Sequence, residues 1–335
     1  MSAPNGLGRL PVPQPDLSGR TVLVVGCNVG LGFEAAKHLA QMNPKRLIGT
    51  CRTEEKCRKT EEEIQKATGS IAVECWPLEL TSFASVRAFV DRFEREGGDR
   101  LDIALISAGM ATTEYSLTED GYETTVQTNH LSGALISYLL LPTLLKTAQT
   151  TGQPSRLAIV ASGRHADVDF GADAFPKDQG IIARLSSAKY SSEDMFNRYP
   201  ESKLLNVLFA RALQAHLPPD APVLVTSIDP GFCMSDLLRS INPDDFRDFF
   251  TEEVMSMMRP TEEGSRLLVM GAVGSEGGLE RWRGAYVSNF EMAQHSDWVR
   301  SEEGQDAQER VWKETLEILT AVDARVGKTV ELFSV

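Results

Sequence analysis

Between Thr21 and Ser288 short, almost wholly apolar runs alternate with longer segments whose apolar residues recur every three or four positions. TVLVV (21–25), RLIGTC (46–51), IAVECWPL (71–78), LDIALIS (101–107), RLAIVA (156–161) and PVLVTSI (222–228) predict strands, and GAYVS (284–288) a seventh. GLGFEAAKHLAQM, EEKCRKTEEEIQKA and SFASVRAFVDRFERE predict the helices between the first four. Two longer helices are expected, one from about Glu119 to Ala148 and one over 199–217. Buried strands alternating with helices of this length form a parallel sheet covered on both faces. Right-handed crossovers then give an α/β, doubly wound parallel sheet of about seven strands, with its ligand crevice at the carboxyl ends.

Some segments break the rhythm. Residues 1–19, with Pro11, Pro13 and Pro15, read as an irregular leader to one domain over 20–335. Inserts at 163–197 and 232–260 fall after strands five and six, over the crevice, where long loops act as lids. The C-terminal extension carries ERVWKETLEIL, whose Trp312, Leu316 and Leu319 share a stripe suited to docking on the domain.

Composition narrows the partners. The chain is 42% hydrophobic and 24% charged, ordinary for a globular protein, and its net charge of -13 argues against nucleic acid and anionic membranes. The most apolar run, Leu131 to Leu145, is short for a bilayer and broken by Ser, Gly and Pro, so it predicts a buried helix and no transmembrane segment. No basic-then-apolar leader is present, and the five cysteines are scattered without zinc-ligand spacing. A cytoplasmic location, reduced cysteines and no metal site are therefore expected.

Candidate chemistry sits at strand ends. Gly26-Cys27-Asn28-Val29-Gly30-Leu31-Gly32 follows the first strand. Gly26, Gly30 and Gly32 allow a tight turn and a close backbone approach to a pyrophosphate, whose charge the following helix N-terminus meets. The second strand ends without an acid to hold a ribose 2′-hydroxyl; Arg52 offers a fork for a 2′-phosphate, favouring NADP(H). Asn129 and Ser162 lie at the same edge, and Tyr199 and Lys203 stand one helical turn apart. A lysine cation beside a tyrosine lowers its pKa from about 10 toward the range useful for proton transfer. The hydride itself needs a cofactor.

VVGCNVGLG, CR, PLELTS, SAG (107–109), TNHLSG, IVAS, YPESK and DPGF (229–232) follow one another in an order that resembles the short-chain dehydrogenase/reductase family over roughly residues 20–290. The likeness is to its retinol-dehydrogenase-like and fungal ketone-reductase branch. It implies a Rossmann-type sheet and catalysis by Asn129, Ser162, Tyr199 and Lys203. Tyr199 would be the proton donor or acceptor, Lys203 the ribose-binding residue that tunes it, Ser162 the carbonyl-orienting hydroxyl and Asn129 the anchor of a water relay. The resemblance also puts Gly26, Asn28, Gly30, Leu31 and Gly32 on the pyrophosphate and Arg52 on the 2′-phosphate. Glu79 and Leu80 fall by the adenine, Ala108 and Gly109 by the ribose, and Pro230 and Gly231 by the nicotinamide. Departures are Val25 for a threonine, Ser107 for an asparagine, Glu79 for an aspartate, and the long insert after Ser162.

The implied activity is NADPH-dependent reduction of a ketone or aldehyde, or the reverse. Apolar loop residues (Phe170, Phe175, Phe196, Phe232, Met234, Phe246, Phe249, Phe250, Met255, Met257 and Met258) suit a lipophilic or aromatic substrate. An NADPH-binding regulator without turnover and a lyase or isomerase on the same fold are the alternatives. A homodimer through the two long helices is the expected assembly, unless the C-terminal extension takes their place.

Overall fold

The computed structural model describes residues 11–191, 195–238 and 251–333. Its strands are β1 (Thr21–Val25), β2 (Arg46–Cys51), β3 (Val73–Pro77), β4 (Ile103–Ile106), β5 (Ser155–Val160), β6 (Val223–Ile228), β7 (Tyr286–Ser288) and β8 (Glu291–Ala293). They form one sheet in the order β3-β2-β1-β4-β5-β6-β7-β8, parallel throughout except for the antiparallel β7–β8 pair. The doubly wound Rossmann-type sheet expected from the alternating pattern is thus present, with its order reversing between β1 and β4.

Among the described residues eight strands form where the pattern suggested about seven. Asn289 and Phe290 both adopt left-handed backbone conformations (φ 49 and 63) and close a two-residue hairpin between Ser288 and Glu291. Phenylalanine is an unusual residue for that conformation, so the local sequence carries no hairpin signal.

The principal helices are α1 (Gly30–Gln41), α2 (Glu54–Thr68), α3 (Phe83–Glu96), α4 (Ser132–Thr151), α5 (Arg198–His216), α6 (Thr261–Val273), α7 (Glu302–Val322) and α8 (Arg325–Glu331). Side-chain caps start several: Thr53 accepts from the Lys56 amide, Ser82 from Ser85 and Ser301 from Gly304. α3 buries Phe83, Val86, Phe89, Val90 and Phe93, a single stripe against the sheet. The helix expected from Glu119 begins only at Thr124, passes through a π-turn over Gln127–Leu131 and continues as α4 to Thr151. Over Thr124–Thr151, the one such helix among the described residues apolar and long enough to cross a membrane, 78% of the most apolar stretch is buried inside the protein.

The C-terminal extension docks as its stripe suggests. Trp312 of α7 stacks on His216 at 4.4 Å and lies against Phe209 of α5, and Leu319 is fully buried. α7 packs along α5 and α8 along α4, so the faces of both long helices are covered by the chain's own C-terminus. A homodimer through those helices would have to form around α7 and α8.

Ahead of β1, Leu17 is fully buried and its amide donates to the Met42 carbonyl, tying part of the leader to the domain. The first insert folds back on α7: the Glu314 carboxylate accepts from the Ile182 and Ala183 amides, and Arg310 donates to the carbonyls of Phe175 and Pro176. Phe170 and Phe175, expected over the crevice, are core residues there. Phe246, Phe249 and Phe250 lie outside the described residues.

Candidate active site

The carboxyl ends of β1, β2, β4, β5 and β6 open onto a cleft continuous with solvent. Gly26, Asn28, Gly30, Leu31 and Gly32 line it from β1 and α1, and Arg52, Glu79 and Leu80 from the ends of β2 and β3. Ala108, Gly109, Tyr199, Lys203 and Pro230 complete the expected set on the wall. Ser162, Asn129 and Gly231 join through the bonds described below.

Glycine is required at two places in the first turn. Gly26 has φ +83, and a Cβ there would lie 2.6 Å from that of Ala108. At Gly32 a Cβ would approach the Gly26 carbonyl oxygen to 1.9 Å, so only hydrogen lets α1 start this close to β1. The Gly26 amide donates to Thr50 Oγ1 at 3.0 Å, which holds the turn against β2. Thr50, missed by sequence, sits near the end of β2 and becomes a partner only because β2 lies beside β1.

Where β2 and β3 end on the cleft, Arg52 and Glu79 face each other at 3.8 Å, both partly exposed. Glu79 also accepts from the Thr81 amide, and the Leu80 carbonyl accepts from Ser132 at 2.6 Å, anchoring this loop to α4. The cleft further includes Ser235 and Asp236, and the Asp236 carboxylate approaches the Gly30 position. No motif marked them in sequence.

Toward the other end, Asn129 sits in the π-turn, a distortion often found at functional sites. Its Oδ1 accepts from the Met110 amide at 2.8 Å, and its Nδ2 donates to the Met110 carbonyl and to Ser202 Oγ, each at 2.9 Å. Ser202 donates in turn to the Tyr199 carbonyl at 2.7 Å, linking Asn129 to the first turn of α5. Lys203 is buried, donates from Nζ to the Val160 carbonyl at 3.0 Å, and stands 5.6 Å from the centre of the Tyr199 ring.

Burial pushes the Tyr199 phenol up to about 12, against the opposing pull of the Ser162 hydroxyl beside it. Burial also brings Lys203 down to about 8. Desolvation is thus the largest influence on Tyr199, ahead of the Ser162 hydrogen bond that opposes it. Tyr199 and Ser162 do face each other, from the start of α5 and the end of β5.

Beyond β6, the Asp229 carboxylate accepts from the Gly231 amide and from Ser288 Oγ, each at 2.9 Å. It thereby fixes the Pro230-Gly231 turn, where Gly231 has φ +79. The rim beside this turn exposes Phe232, Met234, Met255 and Met257.

Comparison with known proteins agrees with this architecture. Residues 20–162 match the short chain dehydrogenase family. Short chain dehydrogenase sol3 of Alternaria solani is 41% identical over 69% of this chain and 79% of its own length. Short chain dehydrogenase/reductase dmxR8 of Cryptosporiopsis sp. is 33% identical over 93% of this chain and 94% of its own. Among solved structures, the NADPH-bound carbonyl reductase from chicken fatty liver superimposes with a TM-score of 0.58 at 20% identity, covering 84% of this chain and 96% of its own. The Pseudomonas aeruginosa RhlG/NADP complex gives 0.59 at 22% identity, covering 82% and 96%.

Proposed function

We propose, from the premise that this chain belongs to the short-chain dehydrogenase/reductase family of oxidoreductases, that it is an NADPH-dependent reductase of a ketone or aldehyde. The observation that carries this reading is the convergence of Tyr199, Ser162 and Lys203 on the cleft whose opposite end is the glycine turn. The cleft fits a dinucleotide. Its turn has no room for side chains at Gly26 and Gly32, the twelve-residue helix α1 starts at the turn, and Arg52 stands ready for a 2′-phosphate. Relatives of the fold bind the same cofactor: the structures from chicken fatty liver and P. aeruginosa are NADPH and NADP complexes.

When bound, the nicotinamide supplies the hydride. The protein's residues supply the rest. Gly26, Asn28, Gly30, Leu31 and Gly32 would hold the pyrophosphate, Leu80 the adenine, and Lys203 with Gly109 the ribose. A phenol with a pKa near 12 is fully protonated at neutral pH, so Tyr199 is charged with the proton that a reduced carbonyl oxygen must receive. Ser162, beside the same phenol, donates to that oxygen and orients it. Asn129, through Ser202 and the Tyr199 carbonyl, holds the start of α5 in register with β4.

The exposed rim of Phe232, Met234, Met255 and Met257 favours a lipophilic or aromatic substrate. The test is a panel of carbonyl compounds followed by NADPH absorbance, with Tyr199→Phe as control. NADPH consumption on a lipophilic ketone, lost in the variant, is expected. Turnover retained by Tyr199→Phe overturns the assignment of the proton donor.

A further inference from the structure

Four of the five cysteines, far apart in sequence, are buried together under the glycine turn. Cys27 follows β1, Cys51 ends β2, Cys75 lies in β3 and Cys57 in the first turn of α2. The sulfurs of Cys27, Cys51 and Cys75 all lie within 4.8 Å of one another, and those of Cys27 and Cys75 are 3.9 Å apart. The scattered spacing led to an expectation of no metal site, yet parallel strand pairing brings these thiols to one point.

We propose that Cys27, Cys51 and Cys75 form a binding site for one soft, closed-shell cation of the copper(I) kind, held by three sulfurs. A metal–sulfur bond of about 2.3 Å in a planar three-coordinate site places the sulfurs roughly 4 Å apart. The observed spacing approaches this without backbone movement. The backbone is also fixed in place: Cys75 pairs with Gly49 across β2–β3, and the Cys27 amide donates to the Thr50 carbonyl at 3.0 Å. Gly49 makes the space. A Cβ there would lie 2.3 Å from the Cys27 sulfur and 3.1 Å from that of Cys75.

The ligand set selects the ion. The group contains sulfur alone, without histidine or carboxylate, which favours thiophilic ions over magnesium, calcium or manganese. All three residues are buried, so a tetrahedral zinc site would lack water for its fourth position and would need Cys57. Three-coordination is what the three converging sulfurs offer directly.

Binding exchanges thiol protons for the cation, and the released protons go to solvent. Cys27 lies just ahead of α1 and Cys51 just ahead of α2, and helix N-termini favour thiolates.

The test uses the full reduced chain under anaerobic conditions, with copper(I) presented as its bathocuproine disulfonate complex. One equivalent per chain should be withdrawn from the chelator, with a thiolate-to-metal charge-transfer band in the ultraviolet. Cys27→Ala, Cys51→Ala and Cys75→Ala should each lose this withdrawal while keeping the circular dichroism of the parent. Cys75→Ser serves if an alanine variant fails to fold, and Cys233→Ala should bind as the parent does. Failure of the parent to withdraw copper(I), or withdrawal that persists in the Cys27/Cys51/Cys75 triple variant, overturns the site. Tetrahedral cobalt(II) bands that require Cys57 overturn the three-sulfur assignment. These readouts are independent of NADPH and of turnover.

Discussion

Glu123 and Arg198 face each other at 3.5 Å with neither side chain exposed to solvent, and together they join the segments that carry Asn129 and Tyr199. The Glu123 carboxylate accepts from the amides of Thr125 and Val126, starting the helical segment that runs into the π-turn of Asn129. Arg198 immediately precedes Tyr199 and also donates to Glu201 at 2.8 Å and to Ser191 at 3.0 Å. One cation between two buried carboxylates therefore sets the relative position of two elements of the cleft.

Arg198→Met would leave Glu123 and Glu201 buried without their cation. A loss of about 3–5 kcal/mol in unfolding free energy is expected, as for a buried pair stripped of one partner. Adding Glu123→Gln should recover part of it, and a double-mutant cycle by urea denaturation measures the coupling. Strictly additive effects would mean that the two side chains do not act together.

Tyr199→Phe should lower turnover by about 10²–10⁴-fold, the usual worth of a positioned proton donor. NADPH affinity, read by fluorescence titration, should change little, because the phenyl ring is kept.

The Glu79 carboxylate stands 3.8 Å from the Arg52 guanidinium, where it would compete with a 2′-phosphate. Arg52→Gln should weaken NADPH by about 10–100-fold, the range of a charge-assisted hydrogen bond, and leave NADH nearly unchanged. Glu79→Gln should act in the opposite direction and tighten NADPH, since it removes the competing anion. Equal losses of NADPH and NADH in Arg52→Gln would exclude a 2′-phosphate contact.

His130 is buried between Asn206 Oδ1 at 3.2 Å and Thr315 Oγ1 at 3.1 Å, and burial brings its pKa down to about 4. An unfolded histidine titrates near 6.5. Above about pH 6.5 both states are neutral there, so the group adds no pH dependence. As the pH falls from about 6.5 to 4 the unfolded state gains a proton that the folded state refuses, and stability drops. The full loss from this residue is about 3 kcal/mol. His130→Gln should flatten the stability profile over that window in denaturation followed by circular dichroism. An unchanged slope would place the titration elsewhere.

Much of the fold follows from local pattern. Runs such as TVLVV and SRLAIV can bury both faces only in a parallel sheet, and the stripe of α3 can be satisfied only against it. The glycine turn was equally legible, since Gly26, Gly30 and Gly32 directly follow an apolar strand. The β7–β8 hairpin was not, because Phe290 adopts its left-handed conformation without a local reason. Thr50, Asp236 and the Glu123–Arg198 pair were hidden as well: each acquires its partner across the sheet or between loops.

Sequence alone determined the alternation of strands and helices, the family resemblance, and the residue types gathered at the carboxyl edge, because periodicity and glycine sterics act over a few residues. Tertiary structure decided how those residues behave. Desolvation depends on everything packed around a side chain, so only the folded protein sets Tyr199 near 12 and Lys203 near 8. Strand pairing likewise decided that Cys27, Cys51 and Cys75, separated along the chain, share one buried point.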